Sequence, residues 1–368
     1  MFDRRLIQNF DWPLLCITLA LSFLGLVSLH SAVGAGALSS PQRILYLKQW
    51  IWYGAGWLAM TACFLIDYKR IERWGVPIYA FINLLLVAVL FFGRYVGGSR
   101  RWLGLGPISI QPSEMAKIAV IIILARYYAR VVRSEGLTVR ELILPFVFTA
   151  VPFALIVKQP DLGTAMMIFL IAATMTLYIK IERKTLICLA LIAVLVGGMG
   201  WFYLKDYQKQ RIMTFVNPGR DPLGAGYHII QSKIAIGSGM LTGKGVLRGT
   251  QNTLSFLPEQ HTDFIFSVFA EEWGFMGGIL THLLFLMLII RGLNIAYNCK
   301  NVFGIVLSVG VTAVIFWQAF INLGMVMGLM PVVGVPLPLI SYGGSSVLTI
   351  MICIGLLMNV SMRRFILD

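Results

Sequence analysis

The chain has 368 residues, 58% of them hydrophobic and only 12% charged, and a mean hydropathy of +0.82. Soluble globular domains carry about 25% charged residues, so this composition excludes one. The formal net charge of +14 does not point to nucleic acid. In so apolar a chain it fits cytoplasmic loops that obey the positive-inside bias.

In chain order, ten apolar stretches read as membrane spans: 12–33, 48–66, 75–92, 113–129, 142–157, 163–179, 184–204, 264–290, 302–328 and 342–361. A helix crosses the bilayer core in about 20 residues, which these approach or exceed. None alternates with period two, so a transmembrane β-barrel is excluded. The first run is too long for a signal-peptide core and reads as a retained span. The expected fold is an all-α polytopic membrane protein, a single transmembrane domain over 1–368. About ten helices carry one large extracytoplasmic loop, 205–263, between helices 7 and 8.

An even number of spans puts both termini on one side. The segments on that side hold clusters such as Arg4 and Arg5, Lys69, Arg70 and Arg73, and Arg126, Arg130, Arg133 and Arg140. The short loops opposite hold fewer cations: Arg43, Lys48, Arg94, Arg100, Arg101 and Lys158. Both termini are therefore expected in the cytoplasm and the long loop outside, in a bacterium the periplasm. The five cysteines are scattered and form no C-x-x-C pair, which supports neither a zinc site nor a disulfide framework.

The long loop is polar and glycine-rich, yet carries aromatic and apolar residues. Loops above about 15 residues are usually functional or disordered, and this composition favours function. Its outward-facing cations suit an anionic lipid or a phosphate-bearing substrate. GSGMLTGKG invites a P-loop reading but fails on spacing. Ser238 stands five residues before Gly243, where glycine is needed, and Gly245 follows Lys244. Glycine turns, or amides open to an anion, are the better readings.

Charges near spans are the functional candidates. Glu114 and Lys117 in QPSEMAKIAV are three apart and share a helix face. They form either a packing ion pair or the charged lining of a cavity. Lys158 and Asp161, in VKQPDLGTA, sit at a helix boundary, where Asp161 is a helix cap or a catalytic group. Arg100 and Arg101 can hold a diphosphate or simply attract anionic lipid. In LPEQHTDFIFSVFAEEWGF, Glu259, His261 and Asp263 crowd where the chain re-enters the membrane. Asp263 is either a cap or a partly desolvated base for a hydroxyl proton. Glu271 and Glu272 follow about two turns on, deep for free carboxylates. His261 has no second histidine at ligand spacing, so zinc is discounted and no metal site is assigned. Leu329–Ser346, rich in proline and glycine, reads as broken backbone lining a cavity.

Together, RRWLGLGPISIQPSEMAKIA, KQPDLGTA, DYQKQRIMTFVNPGRDPLGAGYHIIQSKIAIGSG, GKGVLRGTQNTLSFLPEQHTDFIFSVFAEEWGF and PVVGVPLPLISYGGSS make the chain resemble the SEDS (shape, elongation, division and sporulation) family. The wording is nearer its rod-shape branch than its division branch. The resemblance covers essentially the whole chain. It implies a peptidoglycan glycosyltransferase that polymerises lipid II outside the cytoplasmic membrane. It also implies Asp263 as the base that deprotonates the acceptor hydroxyl, with inversion and departure of undecaprenyl diphosphate. By motif, Glu114, Lys117 and Asp161 line the cavity, and Arg101 and other outer cations such as Lys158 meet the diphosphate. Cations at the leaving group are also a physical need, since charge develops there. A divalent cation, Mg or Mn, held with the substrate diphosphate can share that work. The implied partner is a class B penicillin-binding protein. The rival readings are a flippase for lipid-linked precursors and a non-enzymatic scaffold.

Overall fold

The computed structural model describes residues 9–34, 40–96, 99–105, 108–132, 136–203, 206–220, 224–250 and 261–364. Among these residues, the first helices are α1 (Trp12–Gly34), α2 (Ser40–Leu65), α3 (Tyr68–Arg73) and α4 (Gly75–Phe92). A meander of β1 (Arg94–Val96), β2 (Ser99–Leu105) and β3 (Ile108–Ile110) precedes α5 (Pro112–Val131), α6 (Val139–Lys158), α7 (Leu162–Tyr178) and α8 (Arg183–Tyr203). Then come α9 (Asp206–Val216), α10 (Ala225–Ser238), α11 (Ile265–Asn298), α12 (Val302–Val326) and α13 (Gly344–Arg363).

The protein is an α-helical membrane protein, and each of the ten stretches marked in the sequence contains a helix among the described residues. Six helices (α1, α4, α6, α11, α12 and α13) are long and apolar enough to cross a membrane by length and composition. Of the others, α5 carries Glu114, Lys117, Arg126 and Arg130, and α7 has only 17 residues. Two boundaries differ clearly from expectation, the start of α2 at Ser40 and the end of the eighth stretch. The eighth stretch was expected to close at 290, but α11 runs to Asn298. Arg291, just beyond that expected end, lies inside this helix, 3.1 Å from Asp11 at the start of α1. Asp11 also accepts from Ser361 Oγ at 2.9 Å and caps α1 through the Leu14 N–H at 3.1 Å.

Burial sorts the helices. The apolar windows of α12 and α13 are 78% and 89% buried, against 22% and 28% for α4 and α6. The inner helices, α5 included, form the centre, and the outer ones keep apolar faces exposed. Ser308, Thr312, Gln318 and Asn322 of α12 and Thr349 and Asn359 of α13 are buried. Such residues join helices where the hydrophobic effect cannot.

The β-meander was not anticipated. It pairs Arg94 with Trp102, Tyr95 with Arg100, and Leu103 with Ile110, all antiparallel. β-Branched and aromatic residues broken by glycine pairs are a strand signal, and here they bring Arg101 towards the turn between α6 and α7.

The described parts of the long polar segment are also structured. Past α9, α10 docks on α11 and α12: Ser232 Oγ lies 2.8 Å from Ser267 Oγ and donates to the Val326 carbonyl at 2.6 Å. Residues 239–250 are strapped to α11. Lys244 and Gly245 N–H groups donate to the Glu271 and Glu272 carbonyls, both at 3.0 Å. The glycine-turn reading of GSGMLTGKG therefore holds, because these two amides are taken by backbone. In return, the Phe275 N–H donates to the Met240 carbonyl at 2.8 Å. Glu271, fully buried, accepts from Lys244 Nζ at 2.6 Å and from Thr250 N and Oγ1 at 2.8 and 2.9 Å. Glu272 accepts from Ser31 of α1 at 2.5 Å.

This strapping breaks α11 at Gly274, whose φ is +63°. A Cβ there would meet the backbone of Leu241 and Gly243. Gly274→Ala is expected to lower stability by about 2 kcal/mol or more, from left-handed strain plus the clash. A melting curve in detergent checks this, and an unchanged midpoint would contradict the packing described.

Candidate active site

A cavity of about 490 Å³ opens between α2, β2, α5, α7, the turn before α11 and the segment before α13. Its lining holds Lys48, Arg101, Glu114, Lys117, Asp161 and Asp263. Three cations thus face three carboxylates in one space.

Glu114 and Lys117 arrive on α5, which begins with Pro112. Proline suits the first turn because its missing N–H has no helical partner there. Lys117 Nζ donates to both Glu114 oxygens, at 3.0 and 2.9 Å, and to Gln318 Oε1 of α12 at 3.3 Å. Gln318 in turn donates to the Pro336 carbonyl and Ser346 Oγ, at 3.0 and 3.1 Å. Lys117 is 1% exposed, and Glu114 4%. Desolvating two charges this far costs several kcal/mol per ion, so the pair depends on the additional bond from Gln318 and on its geometry.

Asp161 combines two roles left open by the sequence. It is the N-cap of α7, accepting from Thr164 N at 3.3 Å and Thr164 Oγ1 at 2.9 Å. It also lines the cavity, accepts from Gln111 Nε2 at 3.1 Å, and lies 3.7 Å from Arg101 Nη1. Arg101 further donates to the Gln159 carbonyl at 3.3 Å and to that of Pro160.

Asp263 lies in the turn before α11, and the helix's cap position falls on Phe264. The turn is fastened from two sides. Asn322 Nδ2 of α12 donates to the carbonyls of Asp263, at 2.9 Å, and Val335, at 2.7 Å. Ser341 Oγ donates to the Thr262 carbonyl at 2.6 Å, and the Tyr342 N–H to that of His261 at 3.0 Å. Gly334 (φ +79°) passes so close that a Cβ would sit 3.4 Å from Asp263 Oδ2. Broken backbone is tolerated at membrane depth where it lines a cavity, and residues from Gly334 to Ser346 form one wall of this one. Replacing Asn322 by leucine withdraws the shared donor from two carbonyls. It is expected to cost about 1–3 kcal/mol and to slow turnover by loosening the Asp263 turn. Thermal melting and turnover read together check this; a destabilised protein with wild-type turnover would remove the positioning role.

Two sequence candidates sit elsewhere. Lys158 lines a separate apolar groove. The His261 ring stands 6.0 Å from that of Tyr342 and is not among the lining side chains. Glu259 lies outside the described residues. Several lining residues were not singled out from sequence, among them Lys48, Trp52, Ser109, Tyr342 and Ser345. Lys48 was counted among the short-loop cations at the edge of its span, but α2 begins at Ser40, which puts Lys48 two turns inside the helix. Among the described residues, no group of three His, Cys, Asp or Glu side chains is disposed to hold a metal ion. This donor set does not fit a cation held by the protein alone.

Residues 12–365 match the FtsW/RodA/SpoVE family, described as cell cycle proteins. The chain belongs to this family, the SEDS family. It is 41% identical to the peptidoglycan glycosyltransferase MrdB of Escherichia coli (strain K12), over 98% of this chain and 95% of that one. It is 34% identical to the peptidoglycan glycosyltransferase RodA of Treponema pallidum (strain Nichols), over 98% and 99%. Among solved structures, a chain from work on coordinated polymerization and crosslinking by a peptidoglycan synthase complex superposes with a TM-score of 0.82. It shares 33% identity over 97% of this chain and 98% of that one. The rod shape determining protein RodA of Thermus thermophilus superposes with a TM-score of 0.71 at 28% identity, over 97% and 98%.

Proposed function

We propose that this SEDS protein is a peptidoglycan glycosyltransferase that polymerises lipid II for cell elongation and rod shape. The observation that carries the reading is the single cavity in which Asp263, on a fastened turn, faces Arg101, Lys48 and the Glu114–Lys117 pair. The names of its full-length relatives support it.

In this reading Asp263 takes the proton from the acceptor sugar hydroxyl as that oxygen attacks the donor's anomeric carbon, with inversion. The bond to undecaprenyl diphosphate breaks, and the departing charge meets Arg101 and Lys48. Preorganised cations at the point where charge develops lower the barrier most directly. Asp161 holds Arg101 in place, and Lys117 fixes the position of the Glu114 carboxylate. A Mg or Mn ion, where one takes part, would be held with the substrate diphosphate and not by a protein cage. The protein sits in the bacterial cytoplasmic membrane with both termini inside, ten spans, and 205–263 outside. A class B penicillin-binding protein is its partner, in line with the synthase complex among its structural neighbours.

The test is polymerisation of fluorescent lipid II by the purified protein, with and without that partner. Glycan ladders establish the transferase. Relocated but intact lipid II across a vesicle would establish the flippase, and neither product with the partner present would leave the scaffold.

A further inference from the structure

A second cavity, of about 600 Å³, lies in the outer wall between α4 and α6. α4 turns Ala80, Leu84 and Val87 to it, and α6 turns Val151, Ala154 and Lys158. Each set falls on one helix face, and the two alanines open the groove between the helices. α4 and α6 close on each other at one end, where Tyr79 Oη donates to the Phe148 carbonyl at 3.0 Å. Apart from Asn83, the lining between the ends is apolar over about 10 Å, the rise of seven helical residues. Its ionisable member is Lys158, exposed at the end nearest the active-site cavity.

The turn 158–161 joins groove and cavity. Lys158 lines the groove and Asp161 the cavity, with no lining residue in common. Between them Gln159, 2% exposed, ties the turn to α4 by donating to the Leu86 carbonyl at 2.9 Å. From the other side Arg101 donates to the carbonyls of Gln159 and Pro160. Two cations, Arg101 and Lys158, therefore flank one turn, one facing the reaction space and one heading an apolar track.

We infer that the α4–α6 groove takes the head-proximal part of a polyprenyl chain whose phosphate lies against Lys158, within reach of the Arg101 edge of the cavity. The inference rests on the transferase reading, which supplies a lipid with a diphosphate at one end and a long isoprenoid at the other. Charge complementarity at Lys158 and continuity with the cavity through the turn select this occupant. An anionic head and an apolar tail match a groove with a cation at one end only. A partner's transmembrane helix would leave Lys158 without a counterpart.

The test is photolabelling of the full-length protein in nanodiscs with an undecaprenyl diphosphate analogue bearing a diazirine on its head-proximal isoprene unit. Adducts are expected on 80–87 and 151–158, displaced by undecaprenyl phosphate but not by phosphatidylglycerol. Val151→Trp, at an exposed position, is expected to remove these adducts. Lys158→Gln is expected to weaken labelling roughly threefold, the size of one solvent-side ion pair. Equal displacement by phosphatidylglycerol would reduce the groove to a general lipid contact and overturn the proposal. Adducts confined to other helices would overturn it too. Lipid II polymerisation is measured on the same wild-type preparation. Ladders without groove adducts reject only the groove, whereas groove adducts without ladders reject only the transferase.

Discussion

Asp263→Asn is expected to reduce lipid II polymerisation by about 10³-fold while the protein stays folded, since general-base catalysis contributes about 10²–10⁴. The substitution keeps the side chain's size and removes its basicity. The turn itself is held through main-chain carbonyls: Asn322 on that of Asp263, Ser341 on that of Thr262 and the Tyr342 N–H on that of His261. None of these bonds uses the carboxylate, so the variant should melt near wild type. The measurement is the ladder assay with the partner present, alongside thermal melting. Full ladders from folded Asp263→Asn would remove the base from this position and transfer the role to Glu114 or Asp161, the other carboxylates of the cavity.

The second large effect concerns the buried pair on α5. Lys117→Met leaves the Glu114 carboxylate, whose side chain is 6% exposed, without the ammonium 2.9 Å away. Breaking a buried pair in this way costs about 3–5 kcal/mol, whereas replacing both partners by neutral groups is often close to neutral. Lys117→Met should therefore melt far below wild type, and Glu114→Gln/Lys117→Met should recover most of the loss. Polymerisation should stay low in the double variant, because the cavity has lost a cation and a carboxylate together. A double variant that is both stable and fully active would make the pair a packing device and take it out of the reaction. A single variant that melts like wild type would show that water reaches the pair.

These two predictions differ in how far the sequence alone carries them. Asp263 could be singled out because a carboxylate stood at the end of a polar segment just before an apolar run. Whether it was a cap or a lining group could not be read, since capping depends on where the helix begins. The structure starts α11 after Phe264 and turns Asp263 to the cavity. Glu114 and Lys117 were legible as a pair from their spacing of three, a local property of any helix. Their third partner, Gln318, is two hundred residues away and appears only when α12 packs on α5.

Lys158 shows the converse. The family resemblance set it among the cations that meet the diphosphate, but the helix ends between it and Asp161. Lys158, last on α6, points along the outer wall, while Asp161 begins α7 and points inward. Lys48 was hidden because the true start of α2 lies eight residues before the apolar run. The strands of 94–110 were legible in principle, but short runs between two spans read as loop when hydropathy is the guide.

Composition and hydropathy thus determined the solvent, the helical class and most helix positions, because a lipid-facing backbone must satisfy its own hydrogen bonds within each segment. The motif order determined the family. Only the tertiary structure decided which charges share a space, since that depends on packing between helices far apart in the chain. Packing brought Arg101, Glu114, Lys117, Asp161 and Asp263 around one cavity, left Lys158 outside it, and strapped residues 239–250 of the long polar segment onto α11.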